Sequence, residues 1–222
     1  MHSSITIESI DSEFDPPTHK NASTKDYLAK IYIFLAPFFN VSNNRLPHRF
    51  LSSLAPPLFF PEFRRVYSDL KGPIIVISIL SIILFFGIFS TERTVFGDLL
   101  IIFKLTYCYW IFLAVLAFFL GYFCETFLSL SQYLSIIGYS FSGHCIVLII
   151  AEVLHQEENH SVFFFLLTLF GGLSTCRLVL IIISRTPKPA QSMIMCSCLA
   201  CLHLMHLIYI HFAFMRKKFK LP

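Results

Sequence analysis

The chain has 222 residues, 56% of them hydrophobic and only 14% charged, with 26 phenylalanines, a mean hydropathy of +0.72 and a formal net charge of +4. Such a composition excludes an ordinary soluble domain, and so small a charge, with no basic face on a folded soluble domain, excludes a nucleic-acid footprint. What remains is an all-α, polytopic membrane protein.

In chain order, residues 1–22 are rich in Ser, Asp and Glu and poor in aromatics, which predicts a disordered tail. Glu8, Asp11, Glu13, Asp15, Lys20, Lys25 and Asp26 leave no apolar region for a signal peptide, so this end is expected to stay in the cytosol. Residues 23–72 read as a cytosolic amphipathic, interfacial region. Ser23 and Asp26 have capping-box spacing, and Tyr27/Leu28, Ile31 and Phe34/Leu35 recur with a helical period until Pro37. Leu54–Pro61 holds three prolines and reads as an extended spacer. Between Pro61 and Gly72, Phe63, Val66, Tyr67 and Leu70 fall at i, i+3, i+4 and i+7, opposite Arg64, Arg65 and Lys71. Phe63, Arg64, Arg65, Val66, Tyr67 and Lys71 are thus the expected membrane-interface set, on a helix lying on the bilayer or on the protein's own loops.

Five apolar runs follow within residues 73–214: Pro73–Ser90, roughly Leu105–Phe123 with an alternative start at Leu99, roughly Leu134–Leu154, Ser161–Ser184 and Gln191–Phe214. Each is close to the ~20 residues that cross a ~30 Å hydrocarbon core as a helix, and continuous apolarity disfavours a barrel. An odd number of spans puts the two ends of the chain on opposite sides of the membrane. Residues 215–222 form a short basic tail. The loop 155–160 carries Glu157 and Glu158 and no Lys or Arg, which suits translocation, but five basic residues flank the membrane on each proposed side and the positive-inside rule gives no orientation. All seven cysteines lie in or at the edge of the runs, as small packing residues and not as a disulfide framework.

Polar residues inside the runs are the candidates for chemistry. Lys104 and Arg177 would serve a small transporter or channel, or anchor the helices by snorkelling or pairing. Ser140 and Ser142, with His203, His206 and His211 in a later run, lack the Gly-x-Ser-Gly setting of an intramembrane serine protease. Cys196, Cys198, Cys201, His203 and His206 supply metal-ligand types, but at 100° per residue they spread around a helix. No catalytic, cofactor or metal residue is therefore expected, and no enzyme activity.

Asp69-Leu70-Lys71-Gly72-Pro73 at the start of the first of five spans, with Gly138-Tyr139 in the third, resembles the Yip-domain family of Golgi and endoplasmic-reticulum membrane proteins, with Lys71 where that motif usually has Tyr. Gly143-His144-Cys145-Ile146-Val147-Leu148, Gly171-Gly172-Leu173-Ser174-Thr175-x-Arg177, Ser184-Arg185-Thr186 and Leu202-His203 narrow the resemblance to the branch of its third member. The resemblance implies a non-enzymatic scaffold at the cis-Golgi and endoplasmic-reticulum interface, with a cytosolic N-terminus and a lumenal C-terminus. It implies no cofactor, and as partners the bilayer, other Yip-domain proteins and Rab-type GTPases. Asp69, Leu70, Gly72, Pro73, Gly138, Tyr139, Gly143, His144, Gly171, Gly172, Arg177 and His203 are then the motif and helix-packing residues. That topology leaves the sequons at Asn21 and Asn40 in the cytosol and the retrieval-like Lys218 and Lys220 in the lumen, where a coat cannot read them.

Overall fold

A computed structural model of the chain describes residues 32–33, 36–40, 42–54, 66–89, 96–154 and 160–215. Two units are distinguished, Met1–Ala36 and Pro37–Pro222. In the first, Tyr32 and Ile33 are helical and exposed. The expected disordered tail, most of the helix from Ser23, the spacer from Ala55 to Pro61, the interface residues Phe63, Arg64 and Arg65, and the tail after Met215 lie outside the described residues.

The second unit is all-helical among its described residues. A short 3-10 turn, Asn43–Arg45, leads into α1 (Leu46–Leu54). Five helices long and apolar enough to cross a membrane follow: α2 (Lys71–Phe89), α3 (Phe96–Phe123), α4 (Leu130–Val153), α5 (Ser161–Ile183) and α6 (Pro189–Met215). Within α5 a π turn occupies Leu167–Gly171, and α6 ends in another at His211–Met215.

Three sequence expectations change. Residues 66–70 are not helical, so the amphipathic helix expected between Pro61 and Gly72 does not form there. The reason is the pull of non-local partners: the Leu70 N–H donates to the Phe38 carbonyl at 2.9 Å, and Asp69 turns inward and is 5% exposed. The second span, read as starting near Leu105 or as early as Leu99, is apolar from Leu99 on a helix that starts at Phe96. The third starts at Leu130, where Ser129 and Gln132 form a capping box, satisfying two backbone donors that would otherwise be orphaned.

The order of burial follows from side-chain size. Within the candidate spans, α4 is 72% buried and α3 only 28%, so α4 is the central helix. Its Gly138, Ser140, Ser142 and Gly143 let neighbouring backbones come close, which is what drives association where apolar burial gives no gain. A Cβ on Gly138 would lie 2.4 Å from the Pro73 Cβ, and one on Gly143 would lie 2.3 Å from the Ser174 Oγ. Across α2 and α3, Ser81 and Thr106 hydroxyls meet at 2.6 Å and Ser78 and Tyr107 at 2.8 Å.

Helix α3 closes on a Schellman-type turn, with the Thr126 N–H donating to the Gly121 carbonyl at 2.9 Å and Glu125 at φ 57° in the left-handed region. Two hairpin tips then meet. The Phe127 N–H donates to the Arg185 carbonyl at 3.1 Å, Thr126 and Thr186 hydroxyls lie 2.9 Å apart, and Lys188 pairs with Glu125.

Candidate functional site at the mouth of the bundle

Asp69 stands one residue before the cap of α2 and is the hub of a buried polar network. Its Oδ1 accepts from the Arg49 guanidinium, and its Oδ2 accepts from the Tyr139 hydroxyl at 2.8 Å and from the Gly72 N–H at 3.4 Å. The last contact satisfies a backbone donor at the helix start, and Pro73 in the same first turn has no N–H to satisfy. The Arg49 guanidinium also lies over the Tyr67 ring, 4.0 Å from its centroid, a cation–π contact. Arg177, 5% exposed on α5, is within electrostatic reach of Tyr67 and Tyr139.

Backbone space is as tightly specified as charge. A Cβ on Gly72 would lie 2.0 Å from the Tyr139 Oη and 2.3 Å from its Cζ, so only glycine lets the ring cross the helix start and reach Asp69. Below it, α1 is wedged against α2, α4 and α5. The Ser53 hydroxyl donates to the Phe50 carbonyl at 2.6 Å, so the 2.6 Å contact with Ser142 must have Ser142 as donor. Ser140 donates to the Ile137 carbonyl of its own helix at 2.7 Å. Both hydroxyls considered for a protease thus serve packing.

A second cluster lies deeper, between α3, α4 and α6. His144 and His203 are fully buried and His206 is nearly so. Their rings sit 4.3 Å apart for His144 and His203, and 5.5 Å for His144 and His206, around Phe141. His206 stacks on Tyr109 at 3.8 Å with a 5° interplanar angle, while the Tyr109 hydroxyl donates to the Leu202 carbonyl at 2.8 Å. The His144 Nε2 lies 3.2 Å from the His203 carbonyl. Among the described residues neither ring nitrogen of His206 has a hydrogen-bond partner, and no group of three or more His, Cys, Asp or Glu side chains is arranged to hold a metal. These imidazoles pack as aromatic rings. Cys196 is buried while Cys198 and Cys201 are exposed, the divergence expected from helical geometry.

The structure therefore brings together Asp69, Gly72, Pro73, Gly138 and Tyr139 at the mouth, with Leu70 tied to Phe38, and puts Gly143 against α5. His144 and His203 meet in the separate ring cluster. Gly171 has the Leu207 side chain 3.2 Å from a built Cβ. At Gly172, directly after the π turn, no neighbouring atom lies within 4 Å of a built Cβ. Of the expected interface residues, Tyr67 packs under Arg49, and Val66 and Lys71 are half-buried. Lys104 is exposed on the outer face of α3 whereas Arg177 is buried, so the two do not line a common path. Sequence reasoning missed Arg49, Ser53 and Tyr109, since each matters through a partner at least 20 residues away. Only Arg49 carried a local signal, as a lone cation on a short segment with Phe50 and Leu51.

A family model described as the YIPF3 C-terminal domain matches residues 43–215, which takes in α1, the mouth network and all five spans. No solved structure matches this chain.

Proposed function

As the chain belongs to the Yip-domain family of multi-pass membrane proteins and is YIPF3-like, we propose that it is a non-enzymatic membrane scaffold of the Golgi and early secretory pathway. In this reading its N-terminus is cytosolic and its C-terminus lumenal, and it assembles with other Yip-domain proteins to maintain Golgi structure and vesicle traffic. Rab-type GTPases are the class of soluble partner its cytosolic side would meet.

The observation that carries the reading is how the polar residues of the spans are used. Asp69, Arg49, Tyr139 and Ser142 tie α1, the start of α2 and α4 together, Ser140 bonds its own helix, and among the described residues no three His, Cys, Asp or Glu side chains converge to hold a metal ion. Rigid, closely packed helices with apolar outer faces suit an assembly component better than a conduit. A transport role for Lys104 and Arg177 is disfavoured by the exposure of the first on α3 and the burial of the second on α5.

Affinity capture of the intact chain in mild detergent should recover other Yip-domain proteins, and its depletion should disperse the Golgi. Capture of none, with unchanged Golgi morphology, overturns the proposal. Orientation is tested separately. A glycan on Asn21 or Asn40, detected as a glycosidase-sensitive mobility shift lost on Asn→Gln substitution, would invert it.

A further inference from the structure

Exposed charges bracket a length of the outer helices that matches a bilayer. Lys104 is exposed on α3, and Glu125 closes the same helix in an exposed pair with Lys188. The charge-free stretch between them is about 31 Å long at 1.5 Å per residue, matching a ~30 Å hydrocarbon core. On α4 the stretch from Leu130 to Glu152 is charge-free as well, about 33 Å by the same rise. Exposed aromatics gather at the Glu125 end, Tyr122 at 75%, Phe123 at 74% and Phe127 at 78%, as in an interfacial belt. Placing the boundary at Pro73 instead would leave Lys104 about 10 Å inside the hydrocarbon and facing lipid.

In this frame the start of α2 is submerged. Pro73 packs on Gly138, about 12 Å along α4 from Leu130, and Asp69 bonds Tyr139 one residue further on. Ser53 meets Ser142 at about 18 Å by the same measure. Yet Leu51, between Arg49 and Ser53, is 67% exposed. An exposed leucine at that depth faces acyl chains.

We propose that α1 is a re-entrant helix. It enters the leaflet that holds the two hairpin tips, packs its inner side on α2, α4 and α5, and presents Leu51 to phospholipid acyl chains, with Arg49 and Asp69 forming an intramembrane ion pair. Two further features fit. The Ser52 and Ser53 hydroxyls are themselves satisfied, donating to the carbonyls of Arg49 and Phe50 in the turn before. Arg49 and Asp69 enter as a hydrogen-bonded pair, the form in which ionised groups are found inside membranes, with Lys71 half-buried and Arg177 buried near the same level. The inference depends on the spans alone and holds for either orientation and any partner.

Reconstituting the wild-type chain in phosphatidylcholine vesicles that carry a photoactivatable diazirine on the acyl chain tests it directly. Label is expected on the peptide containing 46–54 as well as on the outer face of α3 around Ile111 and Phe112. Label on α3 with none on 46–54 overturns the proposal. A second measurement places single tryptophans in a Trp110→Phe background, at Leu51→Trp and Phe127→Trp. Leu51→Trp should be quenched by lipids brominated deep in the acyl chain and be spared by aqueous iodide, with Phe127→Trp the shallower of the two. Iodide quenching of Leu51→Trp without lipid quenching would return α1 to the aqueous phase.

Discussion

The mouth network and the histidine cluster are both buried, both polar by residue type, and both lie against α4, yet they are built on opposite terms. At the mouth, the Asp69 carboxylate has donors from Arg49, Tyr139 and Gly72. In the cluster, His206 stacks face to face on Tyr109 with its ring nitrogens unpartnered among the described residues. The first region is held by charge and hydrogen bonds and the second by ring shape. Residue type alone does not say which, because the same imidazole can ligate, titrate or simply pack.

The comparison can be broken first at its ion pair. Asp69→Ala leaves the Arg49 guanidinium buried without its carboxylate, and should cost about 3–5 kcal/mol, the usual result of removing one member of a buried pair. It would be read as a lower unfolding midpoint of the purified protein in detergent. The double variant Arg49→Met/Asp69→Leu should recover part of the loss. Tyr139→Phe keeps the ring and removes one hydrogen bond to a charged group, for about 1.5–3 kcal/mol by the same assay.

Steric specification is sharpened next by contrasting glycines. Gly72→Ala drives a methyl into the Tyr139 ring, and an overpacking penalty of about 1–3 kcal/mol is expected, larger than at Gly171, where the neighbour is a flexible leucine end. Gly172→Ala meets open space and should be neutral or stabilise by about 0.5–1 kcal/mol, the helix preference of alanine. The smallest effect belongs to the histidine cluster. His206→Phe preserves the stack on Tyr109 and removes two unpartnered nitrogens, so its midpoint should change by less than about 1 kcal/mol equivalent. A large loss there would show that the imidazole makes a polar contact after all.

Much of the fold was legible in the chain because apolar length reports directly on a bilayer. All five spans were found, and the ends of the fourth and fifth differ from the observed helices by no more than two residues. The third start was missed although Ser129 and Gln132 spelled a capping box, since the apolar run is weakest at Ser131 and Gln132. The candidate site was legible only as separate words. Asp69, Gly72, Pro73, Gly138 and Tyr139 were all singled out by resemblance, but nothing local indicated that a tyrosine ring lies across a glycine to reach an aspartate 70 positions earlier. The periodicity at Phe63–Leu70 was real and misleading, because a helix there would have cost Asp69 its buried partners.

By itself, the sequence determined that this is a helical membrane protein with five long apolar runs, because hydrocarbon demands long uninterrupted apolar helices and composition records that demand. Only the tertiary structure decided that the segment before the first span folds back into the bundle, that α4 is central, and that Arg49 is the partner of Asp69. Those outcomes depend on side chains meeting across helices, where a single missing Cβ at Gly72 or Gly138 determines which polar groups can touch.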